Sequence, residues 1–415
     1  MIVNCNKIVA YRNFHLITKV LVVSVICILF SRCVEPFEAE LEDFENFLVV
    51  NSTVTNEVKH HQVFLSRTFK FEDDGPIKEE NATVKVIENG TVEYLFEETS
   101  AGVYQSVQEF AIVTGREYQL SIKTSNGKSY ISEKETLPDE TPIQEVSTRR
   151  ILNDNNEMGI GIIVNTFDVN GNSKYYRYEF EETYRYNAPF WRQYDIEING
   201  EIVLDPFINY GFDLVQRSEE LKTCYVTNSS NSILINSTNN LEEGMGASFL
   251  LNFIKTDDIR LEDRYSILVR QFVQTRETYN FYEQLKTFSE SESLFSQVQP
   301  GFIKGNIVSE SNENEPVVGI FEASSITKNR IFFNREDVVE VGDPIYVEPC
   351  KVISLKQGRR ENLIDFLRRV KIVVVGKNLL YHSWLLDIPE FNFVPKSCGD
   401  CTEYGKNAPP DFWED

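Results

Sequence analysis

Thr83-Val84-Lys85-Val86-Ile87-Glu88-Asn89-Gly90-Thr91-Val92-Glu93-Tyr94-Leu95-Phe96 alternates apolar and polar side chains on both sides of an Asn-Gly pair. Asn-Gly tolerates two consecutive positive φ angles, which a two-residue hairpin turn requires, so the stretch predicts two antiparallel strands with one buried face. The same reading extends outward. Leu48-Val49-Val50-Asn51-Ser52-Thr53-Val54 and Gln62-Val63-Phe64-Leu65-Ser66-Arg67 precede it as strands. Tyr118 to Lys123, the turn Asn126-Gly127 and Ser129 to Ser132 follow as a second hairpin. About seven short strands in roughly 90 residues, with turns at regular spacing, predict an immunoglobulin-like β-sandwich over residues 47–138. Leu137-Pro138-Asp139-Glu140-Thr141-Pro142 has the composition of a linker.

Residues 139–395 predict a larger β-rich domain with one or two packed helices, so the fold class is mainly β. Gly159 to Val164 and Tyr175 to Phe180 read as two strands of a hairpin. Between them, Asp168-Val169-Asn170-Gly171-Asn172 resembles the opening of a calcium loop, but the glutamate that would complete such a loop is missing, so the string is read as a turn. Ser266 to Phe272 is a further strand. The period then changes: Phe281, Leu285 and Phe288 fall at i, i+4 and i+7, which predicts an amphipathic helix over Glu277 to Ser289. A second short helix is expected at Arg360 to Arg368, ahead of a strand at Lys371 to Val375. Residues 396–415 form a Cys-containing tail.

Composition sets the outer limits. The 415 residues are 41% hydrophobic and 12% aromatic, too apolar for a disordered chain, and the formal charge of -23 argues against binding nucleic acid or anionic lipid. The acid-free start, with Lys7, Arg12, Lys19 and Arg32, leads into the apolar run Val20 to Phe30. That run would rise about 16 Å as a helix, roughly half a hydrocarbon core, so residues 1–32 read as an export leader rather than a span. Cys33 follows in Leu29-Phe30-Ser31-Arg32-Cys33, which looks like a bacterial lipobox with Arg32 where a small residue is usual. Residues 33–46 are acid-rich and read as an extended tether; such a stretch resembles the surface-export signals of Bacteroidetes lipoproteins.

With Cys5 and Cys27 in the leader and Cys33 assigned to lipid, Cys224, Cys350, Cys398 and Cys401 remain, an even set suited to disulfides in an oxidising compartment. Three pairings connect them, and sequence does not choose. A redox dithiol or half of a zinc site at Cys398-Gly399-Asp400-Cys401 is the weaker reading, because no strand-to-helix context or second clustered pair accompanies it.

Little points to catalysis. His60 and His61 are adjacent in an extended run and face opposite ways, and His382 stands alone. No nucleophile elbow, phosphate loop, dinucleotide fingerprint or zinc-protease helix is found. No catalytic residue, metal or cofactor is therefore assigned. Asp257-Asp258, Glu262-Asp263 and Glu72-Asp73-Asp74 read as solvated loops. The most suggestive stretch for binding is Tyr184, Tyr186, Phe190, Trp191 and Tyr194 around Pro189, interleaved with Arg185 and Arg192. Flat rings stack on sugars or partner loops with little entropy lost; the competing reading has them covering a sheet edge.

Several strings together resemble one family: Cys33-Val34-Glu35-Pro36-Phe37, Arg264-Tyr265-Ser266-Ile267-Leu268-Val269-Arg270-Gln271, Gly305-Asn306-Ile307, Gly319-Ile320-Phe321-Glu322-Ala323-Ser324, and Cys398 to Cys401 with Pro410-Asp411-Phe412-Trp413. It is a Bacteroidetes lipoprotein family, known as a domain of unknown function, whose genes commonly lie beside those of TonB-dependent outer-membrane receptors. The resemblance implies an outer-membrane lipoprotein, anchored by lipid on either the surface or the periplasmic side, that works with a receptor in nutrient uptake; it brings no catalytic residues. The expected function is that of a non-enzymatic accessory or binding partner, with the small-molecule or glycan ligand unidentified. A cell-surface adhesin or structural module is the alternative, and a carboxylate-based glycan hydrolase stands third.

Overall fold

The structure is a computed structural model and describes residues 46–69, 74–168, 171–198, 212–239, 246–290, 303–344, 346, 350, 353–356, 380–383 and 390–415. The leader, Cys33, nearly all of the tether, and the helix and strand expected at 360–368 and 371–375 lie outside the described residues. Among the described residues no helix is long and apolar enough to cross a membrane.

The expected mainly-β architecture is what the chain adopts. β1 (Leu48–Thr55), β2 (Gln62–Arg67), β3 (Thr83–Glu88), β4 (Val92–Ser100), β5 (Val103–Ser106), β6 (Glu117–Lys123), β7 (Ser129–Ser132) and β8 (Glu135–Thr136) supply the first core. Asn89 and Gly90 take φ of 48° and 73°, the two positive angles foreseen for the turn between β3 and β4. At the second hairpin only Gly127 is positive, at 87°. Period-two alternation decides which face is buried. In β1, Leu48, Val50, Ser52 and Val54 point inward, and they meet Val63 and Leu65, Val84 and Val86, and Tyr118, Leu120 and Ile122 from neighbouring strands. Burying each such aliphatic side chain contributes roughly 1.5–3 kcal/mol.

The chain then builds β9 (Ile143–Leu152), β10 (Met158–Thr166), β11 (Tyr175–Asn187), the hairpin β12 (Tyr194–Ile198) and β13 (Phe212–Gln216), β14 (Thr223–Ser229), β15 (Leu234–Ser237), β16 (Ala247–Lys255) and β17 (Arg264–Val273). The helix Arg276–Glu290 follows, close to its expected bounds, and buries Thr278 and Phe281. β18 (Ile307–Ser309) and the 18-residue β19 (Val317–Asn334) come next, then β20 (Ile353–Lys356), β21 (Leu380–Ser383) and β22 (Glu390–Pro395).

β10 and β11 do not form the expected hairpin. β10 pairs with β9 and β16 in a three-stranded sheet, whereas β11 joins β14, β15 and β17 in the large one. The link between them does turn, with Gly171 at φ 69° and Ser173 N–H donating to Asp168 Oδ2 at 2.6 Å, but it carries the chain from one layer to the other. The reason lies in burial. Ile160, Ile162 and Val164 of β10 and Tyr176, Tyr178, Tyr184 and Tyr186 of β11 fill one core from opposite sides, a sandwich-like packing of two layers.

β19 belongs to both cores. Its first half runs parallel to β1, Leu48 opposite Val317 through Thr55 opposite Ser324. Its second half runs antiparallel to β17, from Ser325 opposite Val273 to Asn334 opposite Arg264. Val317, Phe321 and Ala323, with Ile307 of β18, complete the first core from far along the sequence. β18 ends the path β19-β1-β2-β5-β4-β3-β6-β7-β18, and the bridge Lys304–Val318 returns that end to β19, so the layer rolls back on itself. Two glycines make the closure possible. A Cβ on Gly305 would lie 1.6 Å from the Gly319 carbonyl oxygen, and one on Gly319, at φ +109°, would lie 1.8 Å from that of Val50.

Candidate functional site

The aromatic segment expected to bind a partner is mostly interior. Tyr184 and Tyr186 are buried in the second core. Phe190 and Trp191 are half-buried and, like Cys350, pack against Val394 and Cys398. Only Tyr194 is exposed, at 43%. The segment is a seat for the C-terminal tail: Tyr186 Oη donates to Ser397 O at 3.0 Å, Phe190 N–H to Cys398 O at 2.9 Å, and the rings of Tyr186 and Tyr404 meet edge to face at 4.8 Å. The cysteines pair as Cys224–Cys401 and Cys350–Cys398, so all four candidates are consumed in two disulfides.

A different feature of β11 opens a cleft. Its even-numbered residues face the second core: Tyr176, Tyr178, Phe180, Glu182, Tyr184 and Tyr186. Glu182 is the one acid in this aromatic row. That interruption is legible in the sequence, and it marks a position where the row leaves the dry core for a polar hollow.

The hollow holds about 570 Å³ between β14, which ends the large sheet, and β16, which ends the small one. Phe180, Glu182 and Tyr184 form its floor, of which only Tyr184 belongs to the expected binding set. Leu251 and Asn252 of β16 form one wall. The register of β16 against β10 slips there, since Ile162 faces Asn252 while Ile163 faces Leu250. Such a bulge re-aims side chains, and Asn252 Nδ2 donates to Glu182 Oε2 at 3.4 Å. The turn Asp258-Ile259-Arg260 forms the end, and Asn228 to Ser232 the opposite rim.

The charges in the cleft are engaged with one another. Tyr265 Oη donates to Glu182 Oε2 at 2.6 Å, and Arg260 Nη1 reaches both Glu182 oxygens at 3.3 Å. Arg260 also donates to Asp258 through its backbone N–H at 2.9 Å, Nε at 3.0 Å and Nη2 at 2.8 Å. Burial alone would raise the Asp258 carboxyl, but the Arg260 bonds outweigh it and hold it below the usual range. Burial beside Glu182 pushes the Tyr184 phenol up to about 12 and also raises the Tyr265 phenol well above its ordinary value. A glycosidase pair needs one carboxyl kept protonated as general acid. Here one guanidinium bridges both acids as a structural clamp.

A second hollow of about 520 Å³ lies over the seam between the cores, with Thr53, His60, His61, Arg177 and Phe272 in its lining. His60 is exposed and His61 buried. His61 Nε2 lies 2.9 Å from Phe110 O, and burial lowers its pKa to about 4. Asp263 is likewise structural, accepting from Arg185 Nε at 2.7 Å and Asn187 Nδ2 at 2.8 Å. Among the described residues no group of three or more His, Cys, Asp or Glu side chains is placed to hold a metal ion.

The family described as a domain of unknown function (DUF4249) matches residues 34–330, and the chain belongs to that family. No curated protein matches the chain.

Proposed function

We propose, with membership of DUF4249 as the premise, that the protein is a non-enzymatic lipoprotein. Acyl chains on Cys33 anchor it to the outer membrane, where it serves as the accessory or binding partner of a TonB-dependent receptor in nutrient uptake. The observation that carries this reading is the cysteine arrangement. Two disulfides take Cys224, Cys350, Cys398 and Cys401, which leaves Cys33 as the one cysteine after the leader that they do not consume. Disulfides belong to an exported chain, and the family match begins at residue 34, directly after Cys33.

Anchoring confines the protein to two dimensions, so a modest affinity for a neighbouring receptor suffices. Two measurements test the reading. Feeding cells an alkyne-tagged palmitate should label the wild-type protein and leave Cys33→Ser unlabelled. Affinity capture from gently solubilised membranes, followed by mass spectrometry, should return a receptor. An unlabelled wild type, or capture of the protein alone, would count against it; an attachment defect in place of a nutrient-specific growth defect would favour the adhesin role.

A further inference from the structure

We propose that the cleft between β14 and β16 binds a neutral carbohydrate. The inference deepens the binding role proposed above by giving it a site and a ligand class, and it rests on that reading.

Three observations converge. First, the charges in the hollow are engaged with one another: Glu182 and Asp258 share Arg260, and Glu182 also accepts from Tyr265 and Asn252. Two acids against one guanidinium disfavour an anion, and the Arg260 guanidinium that could pair with it is already engaged. Second, the rim is a run of amides and hydroxyls, Asn228-Ser229-Ser230-Asn231-Ser232, of which Asn228, Ser229, Asn231 and Ser232 are exposed. Each of these side chains both donates and accepts, as do the vicinal hydroxyls of a sugar. Third, the half-buried Phe180 contributes a ring to an otherwise polar hollow. One apolar surface against many two-way hydrogen-bonding groups suits a pyranose, which carries an apolar C–H face and a polar edge. A peptide laid along the terminal strands would call for pockets fitted to alternate side chains, and the rim supplies small polar groups instead.

The test is calorimetric titration of the full-length protein, kept in a detergent that carries no sugar, with cellobiose, maltose, lactose and diacetylchitobiose, and separately with a mixture of extended octapeptides. At least one disaccharide should bind with Kd of about 1 mM or tighter. Asn228→Ala and Asn231→Ala should each weaken that binding by about tenfold, the loss of one or two hydrogen bonds, with the melting temperature unchanged because both side chains are exposed. Absence of disaccharide binding, binding indifferent to both substitutions, or binding of the peptides in its place overturns the proposal. Receptor capture is read on separate samples, so a failed ligand class and a failed membrane role are told apart.

Discussion

Arg177 Nη2 on β11 donates to Glu322 Oε2 on β19 at 3.0 Å, with both side chains almost shut off from solvent, where β19 passes from the first core to the second. Glu322 also accepts from Thr53 Oγ1, Gln274 Nε2, Tyr282 Oη and Ser324 Oγ, so both faces of the seam and the helix Arg276–Glu290 converge on one carboxylate. Burial alone would raise that carboxyl; the guanidinium and the hydrogen bonds hold it below its ordinary value.

Arg177→Ala should therefore cost about 3–5 kcal/mol, because it strands a buried carboxylate. The double replacement Arg177→Met with Glu322→Leu should cost less than the single one. Urea unfolding of wild type and the two variants measures both; a double variant that loses more than Arg177→Ala would show that the stranded carboxylate is not the cause of the loss.

Glu135 is a second buried acid and receives Asn306 Nδ2 at 2.8 Å. Burial first, then repulsion from Glu133, Glu277 and Glu322, pushes its carboxyl up to about 7. A pKa raised on folding contributes stability that is present below the unfolded value and lost as pH climbs through the folded one. Its share should fade between about pH 4.5 and 7. Glu135→Gln keeps an acceptor for Asn306 and should melt higher than wild type at pH 8 but not at pH 4. Parallel melting curves across pH decide it.

Gly319→Ala should abolish folding of the first core, since the new methyl would overlap the Val50 carbonyl oxygen at a φ that L residues avoid. Gly90→Ala is the control: the turn also needs positive φ but leaves open space around the Cβ, so it should cost only about 1–2 kcal/mol. Circular dichroism and thermal scans separate a lost transition from a shifted one.

Trp191→Ala should lower stability by about 2–3 kcal/mol and leave ligand binding at the cleft intact, because the ring packs beneath the tail and does not line the hollow. A wild-type melting temperature with weakened binding would restore the surface role read from the sequence.

Removing Cys224–Cys401 should cost about 1 kcal/mol more than removing Cys350–Cys398, since the first spans 177 residues and the second 48. Serine replacements of each pair, unfolded in guanidinium, give the difference.

The sequence by itself determined the elements. Asn89-Gly90 and the alternation around it specify a hairpin through local sterics, and the stripe of Phe281, Leu285 and Phe288 specifies a helix through its period; both are properties of neighbouring residues. The strings that carry the family resemblance were equally readable, but their use was not: Gly305, Asn306, Gly319 and Glu322 lie where the rolled layer closes and the two cores join. Tertiary structure alone decided that β10 and β11 face each other across a core instead of pairing, that β19 serves both cores, which cysteines meet, and that the rings at 184–191 seat the tail. Each of these depends on which distant apolar face a strand is buried against. Period two fixes which side chains share a face, but it does not name the partner that will cover it.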